Sequence, residues 1–337
     1  ILTGILPLLL ILIVPIFTGC SVEDDYPVPD VVTITDPQQL ALNLTDKIIY
    51  LEKWTDNHEN IVSVFSLDLG VNERYVLPKD RRHNGIILLA DNRYILYTRI
   101  DRNKEERHIG SSGVYRYDLH TKKEIKLAGW DVDMTDILLQ HPSYSAKNDL
   151  VSFDIQCPEP FLVGFGTVDL DGNNLTTMES NLHNIGLHSY SPNGENILVS
   201  ATRLEDVNGI QLCLLDNEGR FLRYLTNEGD YNGSFVYTPD GARIIYVEIK
   251  WGSLLEPFKK TEQNLYIMDA DGENREHLLQ GSVVPKGFSD DGTELIFLWK
   301  PNQSETFRFY IMDIDGTNLR HLAYFDQFLE EWYADEK

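Results

Sequence analysis

Beyond residue 46 the chain is a succession of short apolar runs separated by turn residues, as in Asn196-Ile197-Leu198-Val199-Ser200 and Arg243-Ile244-Ile245-Tyr246-Val247. Runs of this size, rich in β-branched and aromatic residues and bounded by Gly, Pro, Asn and Asp, predict strands rather than helices. The punctuation itself repeats. An Asp closes a run at Asp68, Asp118, Asp169, Asp216, Asp269 and Asp313, and nine residues later stands Leu77, Leu127, Met178, Leu225, Leu278 and Leu322. In the last four units a Gly follows three residues after the Asp, at Gly172, Gly219, Gly272 and Gly316. Asp-x-Asp-Gly and its variants between apolar runs are hairpin-turn chemistry, since Gly accepts the positive φ that a tight turn demands.

A second turn recurs about 23 residues after these Asp residues, as Ser191-Pro192-Asn193-Gly194, Thr238-Pro239-Asp240-Gly241 and Ser289-Asp290-Asp291-Gly292. Degenerate versions stand at Ser145-Ala146-Lys147-Asn148 and Ala90-Asp91-Asn92. Each unit therefore reads strand, Ser-Pro-Asp-Gly turn, strand, variable loop, strand ending in Asp, Asp-x-Asp-Gly turn, strand. Four antiparallel strands in 44 to 53 residues make a propeller blade. The expected fold is all-β: a six-bladed β-propeller of four-stranded antiparallel blades over residues 46–337.

The two turns, with Tyr266-Ile267-Met268-Asp269-Ala270-Asp271-Gly272 and Tyr310-Ile311-Met312-Asp313-Ile314-Asp315-Gly316 between them, resemble the TolB-type WD-like repeat. The match is strongest over residues 188–322 and extends over nearly all of the chain after the leader. The same repeat occurs in TolB, in dipeptidyl-peptidase propellers and in oligogalacturonate lyases, so the resemblance implies a fold and leaves activity open. The first unit begins at Lys47-Ile48-Ile49-Tyr50-Leu51 without an inner strand in register, and Asp335 lies 22 residues after Asp313, where the next Ser-Pro-Asp-Gly turn is due. The expectation is that the C-terminal segment, residues 329–334, supplies the innermost strand of the first blade and closes the ring, hiding two sheet edges.

The N-terminal pattern is different. Residues 1–19 carry no charge, and the apolar stretch from Leu8 to Val14 and on to Phe17 is short and proline-interrupted, as in the core of a signal peptide. Phe17-Thr18-Gly19-Cys20 resembles a bacterial lipobox, which implies a lipid on Cys20 and a mature chain starting there. Residues 20–45, opening with Ser21-Val22-Glu23-Asp24-Asp25-Tyr26-Pro27, read as an acidic tether. The Glu-Asp-Asp run also resembles the surface-export signal of Bacteroidetes lipoproteins. The expected address is the outer membrane, on its periplasmic or cell-surface face, with the lipid as the only membrane attachment.

Charge narrows the partners. With 29 basic and 53 acidic residues the formal net charge is -24, which makes nucleic acid an unfavourable ligand, because like charges would have to approach with no counterion release. No Gly-x-Ser-x-Gly elbow, phosphate loop, His-Glu-x-x-His or Cys-x-x-Cys pair occurs. The repeated Asp turns offer clustered oxygens suited to calcium, but repetition at one position argues for turn geometry. Cys157 and Cys213 lie in neighbouring units, as a disulfide or as two thiols.

Two site readings follow. In the first, long aromatic loops on one rim hold a protein or glycan of the cell envelope, without a cofactor and without catalysis. Trp54, Trp130, His183, Tyr231, Trp251 and Phe325 are the candidate contacts, the alternative for each aromatic being to fill space between blades. In the second, implied by the lyase resemblance, a divalent metal in the central channel is held by His141, His183 and His188 in a carbohydrate-active enzyme. The registers of His141 and His188 differ, four and three residues before their turn serines, so strand alternation predicts that only one faces the axis.

Overall fold

The structure, a computed structural model, describes residues 29–36, 48–54, 60–66, 70–77, 82–89, 93–100, 112–129, 137–157, 162–179, 182–183, 185–203, 210–226, 231–251, 260–289, 291–302 and 306–334. Both repeated turns form as their residues require. In the Asp turns the N–H of Gly172, Gly219, Gly272 and Gly316 donates to the carbonyl of the Asp three residues earlier, at 3.1, 3.0, 2.9 and 2.9 Å, with φ between +79° and +93°. The Asp carboxylates accept the remaining turn donors. Asp169 takes the N–H groups of Asp171 and Asn173 at 3.0 and 2.7 Å, and Asp216 those of Glu218 and Arg220 at 3.0 and 2.9 Å. These oxygens are committed to the turn, as the turn-geometry reading requires.

The nine-residue spacing has a physical meaning that the sequence alone did not reveal. A β-carbon placed on Gly172 would sit 3.3 Å from the backbone of Leu127; on Gly272, 3.1 Å from Leu225; on Gly316, 3.2 Å from Leu278; and on Gly219, 3.6 Å from Met178. The Gly of each turn therefore packs against the repeated Leu or Met of the preceding unit. The two repeated positions are the two halves of one contact between neighbours.

Between the turns the strands pair antiparallel into blades. The first unit gives β2 (Ile48–Trp54), β3 (Asn60–Ser66) and β4 (Val71–Val76), after an N-terminal strand β1 (Val32–Ile34). The second gives β5 (Arg82–Leu88), β6 (Tyr94–Ile100), β7 (Ser112–Asp118) and β8 (Glu124–Gly129). The third gives β9 (Leu138–Ser145), β10 (Leu150–Cys157), β11 (Leu162–Val168) and β12 (Thr176–Glu179). In the fourth the inner strand is split into β13 (Leu182–His183) and β14 (His188–Tyr190), both pairing with β15 (Asn196–Arg203), followed by β16 (Gln211–Asp216) and β17 (Phe221–Tyr224). The fifth gives β18 (Tyr231–Tyr237), β19 (Arg243–Trp251), β20 (Lys260–Asp269) and β21 (Glu276–Gln280). The last gives β22 (Ser282–Phe288), β23 (Glu294–Lys300), β24 (Arg308–Asp313) and β25 (Arg320–Leu322), and β1 adds to it parallel to β25. Cross-strand aromatic pairs brace three of these sheets: Tyr97 on Tyr115, Tyr246 on Tyr266 and Phe297 on Tyr310, with ring centroids 5.7 to 6.0 Å apart.

The core lies between the sheets, not within them. Val64, Leu77 and Tyr97 join the first sheet to the second; Leu96, Val151 and Phe153 the second to the third; Phe165, Ile197 and Val199 the third to the fourth. Leu198, Ile244 and Tyr246 continue to the fifth, and Ile245, Phe297 and Trp299 to the last. Phe65 of β3 packs with Ile296, Phe309 and Ile311, so the last sheet also meets the first.

Ring closure departs from the expectation. Residues 329–334 do not form a strand on the first blade. They belong to a helix, α1 (Asp326–Ala334), preceded by a 3₁₀ turn over Ala323–Phe325. Five sheets carry four or more strands, but the first has three, so a sixth four-stranded blade is not formed among the described residues. The reason is local. Phe325, Phe328, Leu329 and Trp332 recur at helical spacing among Asp, Gln, Glu and Ala, with Asp326 favourably placed in the first turn. Phe325 and Leu329 are fully buried at the seam with Phe65 and Phe309, and Arg308 ties the helix down through Glu330 at 2.9 Å. The N-terminal arm is anchored at the same place, with Ile34 in the same cluster.

Candidate functional site

The inner strands share a second irregularity. Pairing slips between Asn84 and Ile87 on β5, between Asn232 and Phe235 on β18, and between Pro285 and Gly287 on β22. On β9 the slip falls opposite Ser152 and Asp154, and in the fourth blade it is the break between β13 and β14. Bulges re-aim side chains and release backbone groups from the ladder. Here they surround one cavity of about 570 Å³, bordered by Gly85, His141, Leu187, Ser234, Pro285 and Lys286 at the slips themselves.

The third and fourth blades give this cavity its polar wall. Register relative to the repeated Asp aligns the second strands of the blades, since Tyr94, Asn196, Arg243 and Glu294 each stand opposite theirs. Two residues on are Leu96, Leu198, Ile245 and Ile296, but Ser152 in the third blade; four on are Thr98, Ser200, Val247 and Leu298, but Asp154. Ser152, Asp154 and Gln156 thus form a polar stripe where the other blades present mainly apolar side chains to their neighbour.

The stripe is hydrogen-bonded. Ser152 Oγ meets His188 Nε2 at 2.9 Å, Asp154 Oδ1 meets His141 Nδ1 at 3.0 Å, and Gln156 Nε2 donates to Asp154 Oδ2 at 3.0 Å and to the Ile185 carbonyl at 3.2 Å. Ser152 and Asp154 are fully buried. Burial pushes the His188 imidazole down to about 4, against the pull of the Asp154 carboxylate, so it is neutral at ordinary pH. Its Nδ1 is buried and has no hydrogen-bond partner among the described residues.

His141 and His188 therefore border the same cavity, contrary to the alternation argument. His141 has a left-handed backbone, φ +45°, and the bulge it makes with Pro142 resets the register that strict alternation assumed. Phe325 needs a second correction. It is a fully buried seam residue, not a loop-face contact, because the 3₁₀ turn directs its ring against Phe65 and Phe309 at 5.3 and 5.5 Å. Trp54 ends β2, His183 ends β13, Tyr231 begins β18 and Trp251 ends β19, but their side chains lie outside the described residues, as do Trp130 and Cys20 altogether. Cys213 carries a buried thiol whose Sγ donates to the Ala201 and Gln211 carbonyls at 3.6 Å. Ser152, Asp154 and Gln156 were missed. The signal was present as a run of polar residues in an otherwise apolar strand, visible only once the repeats are aligned by pairing.

Solved structures with this architecture place it. TolB from Acinetobacter baumannii superposes with a TM-score of 0.57 at 17% identity, over 80% of this chain and 61% of that one. The fold is a TolB-like β-propeller. A TolB candidate from Agrobacterium tumefaciens gives the same TM-score and identity over 78% of this chain and 88% of its own length. The oligogalacturonate lyase of Vibrio parahaemolyticus gives a TM-score of 0.52 at 13% identity, over 82% of this chain and 80% of its own length. No family model and no curated protein matches the sequence. The chain thus spans less than two thirds of the Acinetobacter protein, and at these identities the likeness is one of fold. No helix among the described residues is long and apolar enough to cross a membrane.

Proposed function

We propose that the protein is a non-catalytic lipoprotein of the cell envelope, lipidated at Cys20, which holds a protein or glycan partner at the mouth of its central cavity. In this reading the three-stranded first sheet is the sixth blade of a closed ring, sealed at the Phe65 seam by α1. The observation that carries the proposal is the set of slips in the inner strands of the five larger sheets around one cavity, since a sheet needs no bulge merely to pack. The likeness to TolB supports an envelope role by analogy only. A net charge of -24 favours a neutral or basic partner surface.

The lyase-like reading draws support from the shared wall of His141 and His188, and weight against it from their commitments to Asp154 and Ser152. Among the described residues no three His, Cys, Asp or Glu side chains are grouped to hold a metal. Capture from envelope extract should separate the two readings. A partner held by the natural protein and lost from a folded Ser234→Trp variant, which fills the cavity, supports the binding role. Equal capture by both overturns it, and stoichiometric manganese or zinc lost on replacing His183 or His188 supports the enzyme.

A further inference from the structure

The wall around His141 is more elaborate than a surface for a partner's loop requires. A non-glycine residue with φ +45° is strained, and such strain is held in place only when the surroundings over-determine it. Here the Asp154 carboxylate, fully buried, fixes the ring, and Gln156 fixes the carboxylate from the other side while bonding to the next blade. A carboxylate accepts, so in the neutral ring the tautomer that satisfies this contact carries its hydrogen on Nδ1 and donates it to Asp154. That leaves Nε2 as a fixed acceptor on a side chain that is 30% exposed and borders the cavity.

The rest of the lining narrows the ligand. Ile87, Leu187, Phe235, Val236 and Pro285 are apolar, and no Asp or Glu borders the cavity among the described residues, in a chain that has 53 of them. A cation would find no counter-charge there. A carboxylate would point acceptor against acceptor at Nε2, and Lys286, the lysine at the wall, has an interaction of its own. His188 borders the same wall, where Ser143, Tyr144, Ser189 and Ser234 add hydroxyl side chains. A volume of about 570 Å³ falls within the range that suits a small molecule.

We propose that this cavity is a binding site for a small neutral molecule, largely apolar and bearing one hydroxyl, whose proton is donated to His141 Nε2. The site goes beyond partner binding and stands or falls independently of it.

The test uses the purified full propeller at pH 8, above the ordinary histidine range, titrated by fluorescence with 2-naphthol, naphthalene, 2-methoxynaphthalene and 2-naphthoate. One hydrogen bond corresponds to about a tenfold preference for 2-naphthol over the methyl ether. His141→Phe should erase that preference while keeping apolar binding. Asp154→Asn, whose amide can donate to Nδ1, should invert the tautomer and turn the preference toward the ether. If that variant fails to fold, ¹⁵N spectra of the unmodified protein give the same information: His141 Nε2 should be unprotonated and should shift on adding 2-naphthol. Equal binding of naphthol and ether, tighter binding of naphthoate, no binding at all, or a preference unchanged in His141→Phe would each overturn the proposal.

Discussion

Replacing Phe325 with Ala separates a seam residue from a loop-face contact. The ring is fully buried and stacks edge-on against Phe65 of the first sheet and Phe309 of the last, at 5.3 and 5.5 Å. Truncating a buried Phe to Ala costs about 3–5 kcal/mol, from lost transfer free energy and the cavity left behind. Edge-to-face geometry with two partners places the expected loss in the upper half of that range, since each such pair adds about 0.5–1.5 kcal/mol beyond area burial. Collapse of the site is hindered because its walls come from opposite ends of the chain, with Ile34, Leu322 and Leu329 completing it. Urea titration followed by intrinsic fluorescence and circular dichroism measures the change, with Phe153→Ala between the second and third blades as the internal reference. Both losses should be comparable. A loss below about 0.5 kcal/mol, the range of ordinary surface substitutions, would refute the seam and restore Phe325 to the loop face.

Gly272→Ala should destabilise by about 1–2 kcal/mol in thermal unfolding, since φ +93° is a left-handed conformation that costs an L-residue about that much, and Leu225 stands 3.1 Å away. His188 has a folded pKa of about 4, below its ordinary value of 6.5, so the unfolded chain gains a proton first as pH falls. Stability should therefore decline between pH 6.5 and 4, by on the order of 3 kcal/mol, and His188→Gln should flatten that part of the urea-stability profile. The carboxyls of Asp118, held by Arg93 and the Thr121 N–H, and Asp169, held by the Asn173 N–H, lie below the usual carboxylate range. Their contribution is present above that range and should disappear as pH falls through their folded values, giving a second, lower-pH decline that Asp169→Asn reduces. Cys213, a fully buried thiol, should resist thiol reagents in mass-mapped labelling until urea unfolds the propeller.

The turns were the most legible part of the sequence, because Asp and Gly at fixed spacing answer to a backbone requirement that few other residues meet. The Leu at the ninth position was visible as a repetition, but its partner, the Gly of the next unit, belongs to tertiary packing that spacing within one unit does not encode. The C-terminal segment departs from the count made from Asp313 because the helical spacing of Phe325, Phe328, Leu329 and Trp332 prevails over the repeat period. In the cavity, alternation failed at His141 because one left-handed residue shifts every side chain beyond it to the other face. The polar stripe is not legible in the sequence alone, because Ser152 and Asp154 are ordinary by themselves and stand out only beside Leu96, Leu198, Ile245 and Ile296.

A photo-crosslinking residue placed in turn at Leu187, on the cavity wall, and at Leu222, half exposed on the outer strand β17, tests the binding role most directly when cells are irradiated and adducts are resolved by mass. A partner at the mouth of the cavity should give a discrete adduct from Leu187 that disappears in Ser234→Trp, and none from Leu222. An adduct from Leu222 alone would contradict it, moving the working surface to the outer edge of the blades.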